Sequence, residues 1–107
     1  MIPGEKITIG GREYIAPPLN LASMRAHKAM MTKAYGMAKG SGVEPAPDDL
    51  LEMSEMVVES LKRNYPEVTL DAIEADLDFP TLLSAFTRII SAGLVGPSLG
   101  ETKPGSQ

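Results

Sequence analysis

The sequence predicts a mainly α fold: a small domain of about four helices, preceded by an N-terminal β-hairpin and followed by a flexible C-terminal tail. Three observations carry this expectation. The chain has 107 residues, enough for a single hydrophobic core and too few for two. Its apolar residues, 43% of the total, recur at helical spacing through most of the chain beyond residue 20. Its one strand-like stretch is a pair of β-branched runs around Gly10-Gly11. Aromatics make up only 5%, and seven methionines share the core-forming work, a composition that favours helix.

The hairpin comes first, over residues 6–15. Lys6-Ile7-Thr8-Ile9 and Arg12-Glu13-Tyr14-Ile15 flank the glycine turn, so Ile9 pairs with Arg12 and Ile7 lies opposite Tyr14. One face then carries Ile7, Ile9 and Tyr14, and Ile15 points away. An isolated hairpin is marginal in water, so this one must pack on a helix. Pro17 and Pro18 end the strand and keep the following chain extended.

Asn20 is a helix N-cap, and the pattern predicts one helix from there to about Lys39. Met24, His27, Met30, Met31, Ala34, Tyr35 and Ala38 share its apolar arc, with Arg25, Lys28, Thr32 and Lys39 opposite. Residues 39–47 read as a flexible linker. A second helix runs from Pro47 or Asp48 to Asn64, with Leu50, Leu51, Ser54, Val57, Val58, Leu61 and Tyr65 inward and Glu52, Glu55, Glu59, Lys62 and Arg63 outward. Thr69 caps a short helix reaching about Leu77. After Asp78-Phe79-Pro80, a last helix runs to about Ala92 with Leu82, Leu83, Phe86, Ile89 and Ile90 on its core face, and Gly93 ends it. Residues 1–95 are thus one domain, and residues 96–107, rich in Gly, Pro and Ser, are expected to be disordered.

Composition excludes several chemistries. With no cysteine there is no disulfide framework, thiolate nucleophile or cysteine zinc site, and a reducing compartment is expected. The N-terminus has no signal-peptide pattern, and no apolar stretch approaches the ~20 residues that span a bilayer. The net charge of −4 opposes non-specific binding to nucleic acid. Charge is uneven along the chain: residues 1–40 carry six basic and two acidic side chains, residues 41–80 carry two and eleven. Such bipolarity is met either by neighbouring helices neutralising each other or by a surface that steers a charged partner.

No catalytic constellation emerges. Glu74, Asp76 and Asp78 alternate like the first ligands of a calcium loop, but Phe79 and Ala85 stand where that loop needs Gly and Glu. His27 is the only histidine, so a histidine-clustered metal site is excluded, and it reads as a packed core histidine with one hydrogen-bond partner. No Gly-Lys-Ser/Thr closes the glycines at 36, 40 and 42 into a phosphate loop. No cofactor, metal or small-molecule substrate is expected. The methionines are more suggestive, because Met24, Met30, Met31, Met37, Met53 and Met56 fall on two successive helices. They serve either as core filler or as a soft surface for apolar partners.

The order of features is distinctive: Ile9-Gly10-Gly11-Arg12-Glu13-Tyr14, then Pro17-Pro18-Leu19-Asn20-Leu21, then a basic helix. An acidic helix follows, ending in Leu61-Lys62-Arg63-Asn64-Tyr65-Pro66-Glu67-Val68-Thr69-Leu70, then Ile73-Glu74-Ala75-Asp76-Leu77-Asp78 and an apolar helix. Over about residues 5–93 this resembles the tail assembly chaperones of long-tailed bacteriophages and prophages. The resemblance implies a non-enzymatic morphogenesis factor that binds the helical tape-measure protein, keeps it soluble and promotes assembly of the tail-tube protein around it. It also implies residence in the host bacterial cytoplasm and absence from the mature virion, and leaves homo-oligomerisation open. It carries no family site residues. From the residues themselves, Met31, Met53 and Met56 are expected to supply apolar contact to the client, and Arg25 and Lys28 to orient it. The competing expectations are a structural tail component and a small regulatory helical protein.

Overall fold

A computed structural model describes residues 1–38, 40 and 44–95. Two strands, β1 (Glu5–Ile9) and β2 (Arg12–Ala16), precede five helices: α1 (Leu21–Ala26), α2 (Lys28–Ala38), α3 (Pro47–Lys62), α4 (Leu70–Asp76) and α5 (Phe79–Val95). The mainly helical domain with an N-terminal hairpin is as the sequence predicts. Gly10 and Gly11 both have positive φ, 60° and 76°, the geometry that lets a two-residue turn follow the strand twist. The register pairs Ile9 with Arg12 and Ile7 with Tyr14. Ile7, Ile9, Tyr14 and Ala16 are buried on one face.

That register also decides where the backbone groups point. In an antiparallel pair closed by a two-residue turn, the flanking residues exchange hydrogen bonds and the next pair turns its N–H and C=O outward. Lys6, Thr8, Glu13 and Ile15 are the outward set. On β2, the Ile15 N–H donates to the Tyr65 hydroxyl at 2.9 Å and the Ile15 carbonyl accepts from Asn64 Nδ2 at 2.9 Å. Asn64 also accepts from the Ile2 N–H at 2.7 Å and donates to the Ile2 carbonyl at 2.9 Å. Tyr65 meets Tyr14 edge-on, with ring centroids 5.1 Å apart. The residues just beyond α3 therefore fasten the hairpin, and they take the outward groups of Ile15 on the β2 edge in doing so.

Gly10 is required twice over. A Cβ there would lie 2.6 Å from the Asp76 carboxyl at the end of α4, on a backbone that L-residues avoid. Gly10→Ala is expected to cost more than the about 1–2 kcal/mol of the left-handed backbone alone, read as a shift in urea midpoint with unchanged slope. Gly11→Ala meets no neighbouring atom, so it carries only the backbone part of that cost.

The single helix predicted from Asn20 to Lys39 is two. Asn20 caps α1 as expected, its side chain accepting from the Ser23 N–H at 2.8 Å. At His27 the backbone leaves the helical region, with φ −116° and ψ 35°, and α2 starts at Lys28. The cause is the imidazole: Nδ1 lies 2.8 Å from a Glu52 carboxylate oxygen and Nε2 lies 2.7 Å from one of Glu59. His27 thus has two partners rather than the one expected. Glu52 and Glu59, expected outward, flank Met56 one turn to either side and face the α1–α2 junction.

This packing explains why the buried arc of α3 is wider than predicted and rotated. Met53, Ser54, Met56, Val57, Val58, Ser60 and Leu61 are all buried, more than half of the circumference at about 100° per residue. Leu51, expected inward, is 58% exposed, and on α2 Tyr35 is 49% exposed while Met30 and Ala34 reach the core. The two buried serine hydroxyls of α3 are both satisfied. Ser60 donates to the Pro17 carbonyl at 2.6 Å. Ser54 has the Glu74 carboxylate at 2.5 Å and the Leu51 carbonyl at 2.7 Å as alternative acceptors.

Thr69 caps α4 through the Ala72 N–H, and Leu77 follows its last turn, as the sequence predicts. Helix α5 packs on both α3 and β1, and its Leu82, Ala85, Phe86, Ile89 and Ile90 complete the core. It does not stop at Gly93: the helix continues to Val95. A single glycine costs only about 1 kcal/mol in a helix and does not terminate one without a capping turn. The predicted tail, 96–107, and residues 39 and 41–43 of the predicted linker lie outside the described residues. The end of that linker is ordered: Pro47 is the first residue of α3, and Asp49 reaches back to the Ala46 N–H at 2.8 Å.

Candidate functional site

A strongly apolar concavity lies between α2, the first turns of α3, and α5. It is a groove of 390 Å³. Its floor is Ala34, Met53, Phe86 and Ile90, all core residues, and half-buried Met37 and Leu83 form its sides. Tyr35, Pro45, Thr87 and Ser91 complete the rim, so no lining residue among those described carries a charge. Leu83, Phe86, Thr87 and Ile90 come from one helix at spacings of three, four and seven, which places them along a single face of α5. That row, facing α2 across Met53, has the form of a slot for apolar side chains of a helix or an extended segment.

The expected contact residues are dispersed. Met53 is on the floor of the groove, where its side chain is fully buried. Met56 is 1% exposed and belongs to the core, not to a rim: the His27 junction covers the side of α3 that the helical wheel left open. Met56 is therefore not available to a partner on this surface, and Met53 presents only what the groove exposes. Met31 is half-buried against the core and does not line the groove. Arg25 and Lys28 are exposed at the α1–α2 junction, also outside the groove.

Sequence reading missed Leu83, Phe86 and Ile90 as site residues because it assigned the whole apolar face of α5 to the core. The available signal was breadth. Leu83 flanks the stripe of Leu82, Phe86 and Ile89, and a stripe wider than one contact needs reaches past the buried seam.

Electrostatics around the helices is local. Lys33 of α2 lies 2.8 Å from Asp49 of α3, and this hydrogen bond, with that of the Ala46 N–H, holds the Asp49 carboxyl below the usual carboxylate range. At His27 burial opposes the charged ring, but hydrogen bonds and attraction from Glu52 and Glu59 outweigh it and raise the pKa above 6.5. Part of the basic–acidic asymmetry of the sequence is thus spent between neighbouring helices. Among the described residues no three His, Asp or Glu side chains form a metal-binding group, and no helix is long and apolar enough to cross a membrane. Compared with protein-family models, curated proteins and solved structures, the chain matches none.

Proposed function

We propose that this chain is a non-catalytic assembly chaperone of a bacteriophage tail, and that it shields a helical segment of the tape-measure protein while tail-tube subunits are recruited. The observation that carries the binding part is the apolar groove whose floor, Met53, Phe86 and Ile90, is continuous with the core. A slot of this kind removes apolar side chains of a client from water without demanding a fixed sequence, and its methionines adapt to different shapes. The phage assignment is supported by the order of sequence features described above. In this reading Leu83 and Met37 supply the contact above the buried Met53, and Arg25 and Lys28, away from the groove, act only through long-range attraction to an acidic client.

Co-expression with a tape-measure protein is the test. The expected result is a soluble complex of defined mass by size-exclusion chromatography with light scattering. Thr87→Glu with Ser91→Glu, two exposed rim positions, is expected to weaken that complex at least about tenfold with little change in thermal midpoint. A client that stays insoluble, or a complex indifferent to the rim charges, overturns the reading. Persistence of the chain in purified particles points instead to a structural tail component.

A further inference from the structure

Another concavity of the molecule is of a different kind. It is a 370 Å³ cleft between the outer edge of β1 and the first half of α5, lined by Lys6, Thr8, Thr81, Ser84 and Arg88 over Ile7 and Ala85. Its β1 wall is an open sheet edge. The register turns the N–H and C=O of Lys6 and Thr8 away from β2, toward this side. On β2, Tyr65 and Asn64 take both outward groups of Ile15 and leave those of Glu13, whereas on β1 only one of the four groups is taken: Arg88 Nη1 donates to the Lys6 carbonyl at 2.9 Å. The Lys6 N–H, the Thr8 N–H and the Thr8 carbonyl have no partner among the described residues.

The cleft is also cationic. No carboxylate pairs with Arg88 among the described residues, and Lys6 meets Glu13 only at 4.0 Å with both side chains mostly exposed. Asp78 is turned to the start of α5, where it accepts from the Thr81 N–H at 2.8 Å, and the Asp76 carboxyl lies against Gly10.

We propose that the β1 edge is a second binding site, which takes an extended acidic peptide segment as a third strand beside β1, with a carboxylate of that segment on Arg88. The free N–H and C=O of Thr8 and the free N–H of Lys6 supply main-chain pairing, and such pairing tolerates many side-chain sequences. Arg88, already held at the edge by the Lys6 carbonyl, presents its remaining guanidinium donors where a neighbouring strand runs, and Lys6 adds a second positive charge. Charge selects the occupant. A second copy pairing β1 to β1 would gather two Lys6 and two Arg88 side chains along one seam, whereas an acidic strand neutralises them. The site is independent of the α2–α5 groove and of the client proposed for it.

The full-length chain, labelled with ¹⁵N, is titrated with the acetylated and amidated peptide Glu-Val-Thr-Val-Thr-Val-Asp. Amide shifts at Lys6 and Thr8 and at the Arg88 side chain are expected. The same peptide N-methylated at every central residue, which keeps the side chains and removes the main-chain donors, is expected to lose at least about tenfold in affinity. A counterpart with lysine at both ends is expected to bind at least about tenfold more weakly, and Arg88→Gln weakens the acidic peptide to a similar degree. Shifts that fall on Leu83 and Phe86, affinity that survives N-methylation, equal binding of acidic and basic peptides, or no binding at millimolar peptide each overturn the proposal. A dimer by light scattering that Thr8→Pro abolishes also overturns it, giving the edge to a second copy. Proline at position 8 leaves the β1–β2 hydrogen bonds in place because that N–H faces outward.

Discussion

Replacing Met56 by Ser is expected to destabilise the chain by about 3–5 kcal/mol, a large part of the 5–15 kcal/mol typical of a small domain. The side chain is 1% exposed in the single core cluster, between Met53 and Val57 on one side and the His27 junction on the other. Truncation leaves a cavity that the surrounding helices close only in part, and the serine hydroxyl enters an apolar site with no partner provided. The measurement is a urea titration, with a lower midpoint at unchanged slope. Met56→Leu, which nearly conserves volume, is expected to stay within about 1.5 kcal/mol of the parent. A Met56→Ser variant as stable as the parent would show that the α1–α2 junction does not cover this side of α3. Because the folded fraction falls, reduced client binding by this variant says nothing about contact. The rim pair Thr87 and Ser91 separates the two effects, since neither side chain is in the core.

The contrast between Met56 and the hairpin shows what the sequence made legible. Strand pairing has a period of two and a turn of two glycines, so one register satisfies both, and Ile7 opposite Tyr14 follows directly. Helix existence was equally readable from the caps: Asn20, Pro47 and Thr69 stand where the structure starts α1, α3 and α4. Which part of a helix is buried depends instead on how many neighbours it has. The wheel of α3 was read for one partner, and the helix has several, so the stripe moved off Leu51 and onto Met53, Met56 and Ser60. The break at His27 was hidden for the same reason. Nothing in residues 21–38 interrupts helical periodicity; the interruption is imposed by two glutamates 25 and 32 residues further on. The groove was illegible because it is a gap between elements, and the open β1 edge because pairing partners of backbone groups leave no mark in side-chain type.

The His27 bridge makes stability depend on pH in a defined direction. Both ring nitrogens face carboxylate oxygens, at 2.8 Å for Glu52 and 2.7 Å for Glu59, and a carboxylate can only accept. The imidazolium donates to both. A neutral ring donates to one and turns a lone pair on the other, so loss of the proton removes one bond and adds a repulsion. The folded-state pKa is accordingly raised above 6.5, burial notwithstanding. A raised pKa means that the folded state holds its proton more tightly than the unfolded chain. The contribution is therefore complete below 6.5 and is lost as pH rises through the folded-state value. At the acid end the signs reverse. Asp49, hydrogen-bonded by Lys33 and the Ala46 N–H, and Asp78, hydrogen-bonded by Thr81, are held below 3.8, so their contributions exist above that value and vanish as pH falls through the lowered ones. Between the two ranges all three groups stabilise the fold, and the thermal midpoint is expected to be highest there. Because Glu52 and Glu59 are more than a third exposed, water screens them, and His27→Ala is expected to cost about 1–2 kcal/mol near pH 6. The variant should also lose the decline in stability on the alkaline side. Thermal midpoints from about pH 5 to about pH 9, together with the NMR titration of the single histidine, decide this. A parent protein whose midpoint does not fall across the histidine titration, or a variant that keeps the same decline, would show that the bridge does not hold the α1–α2 junction to α3.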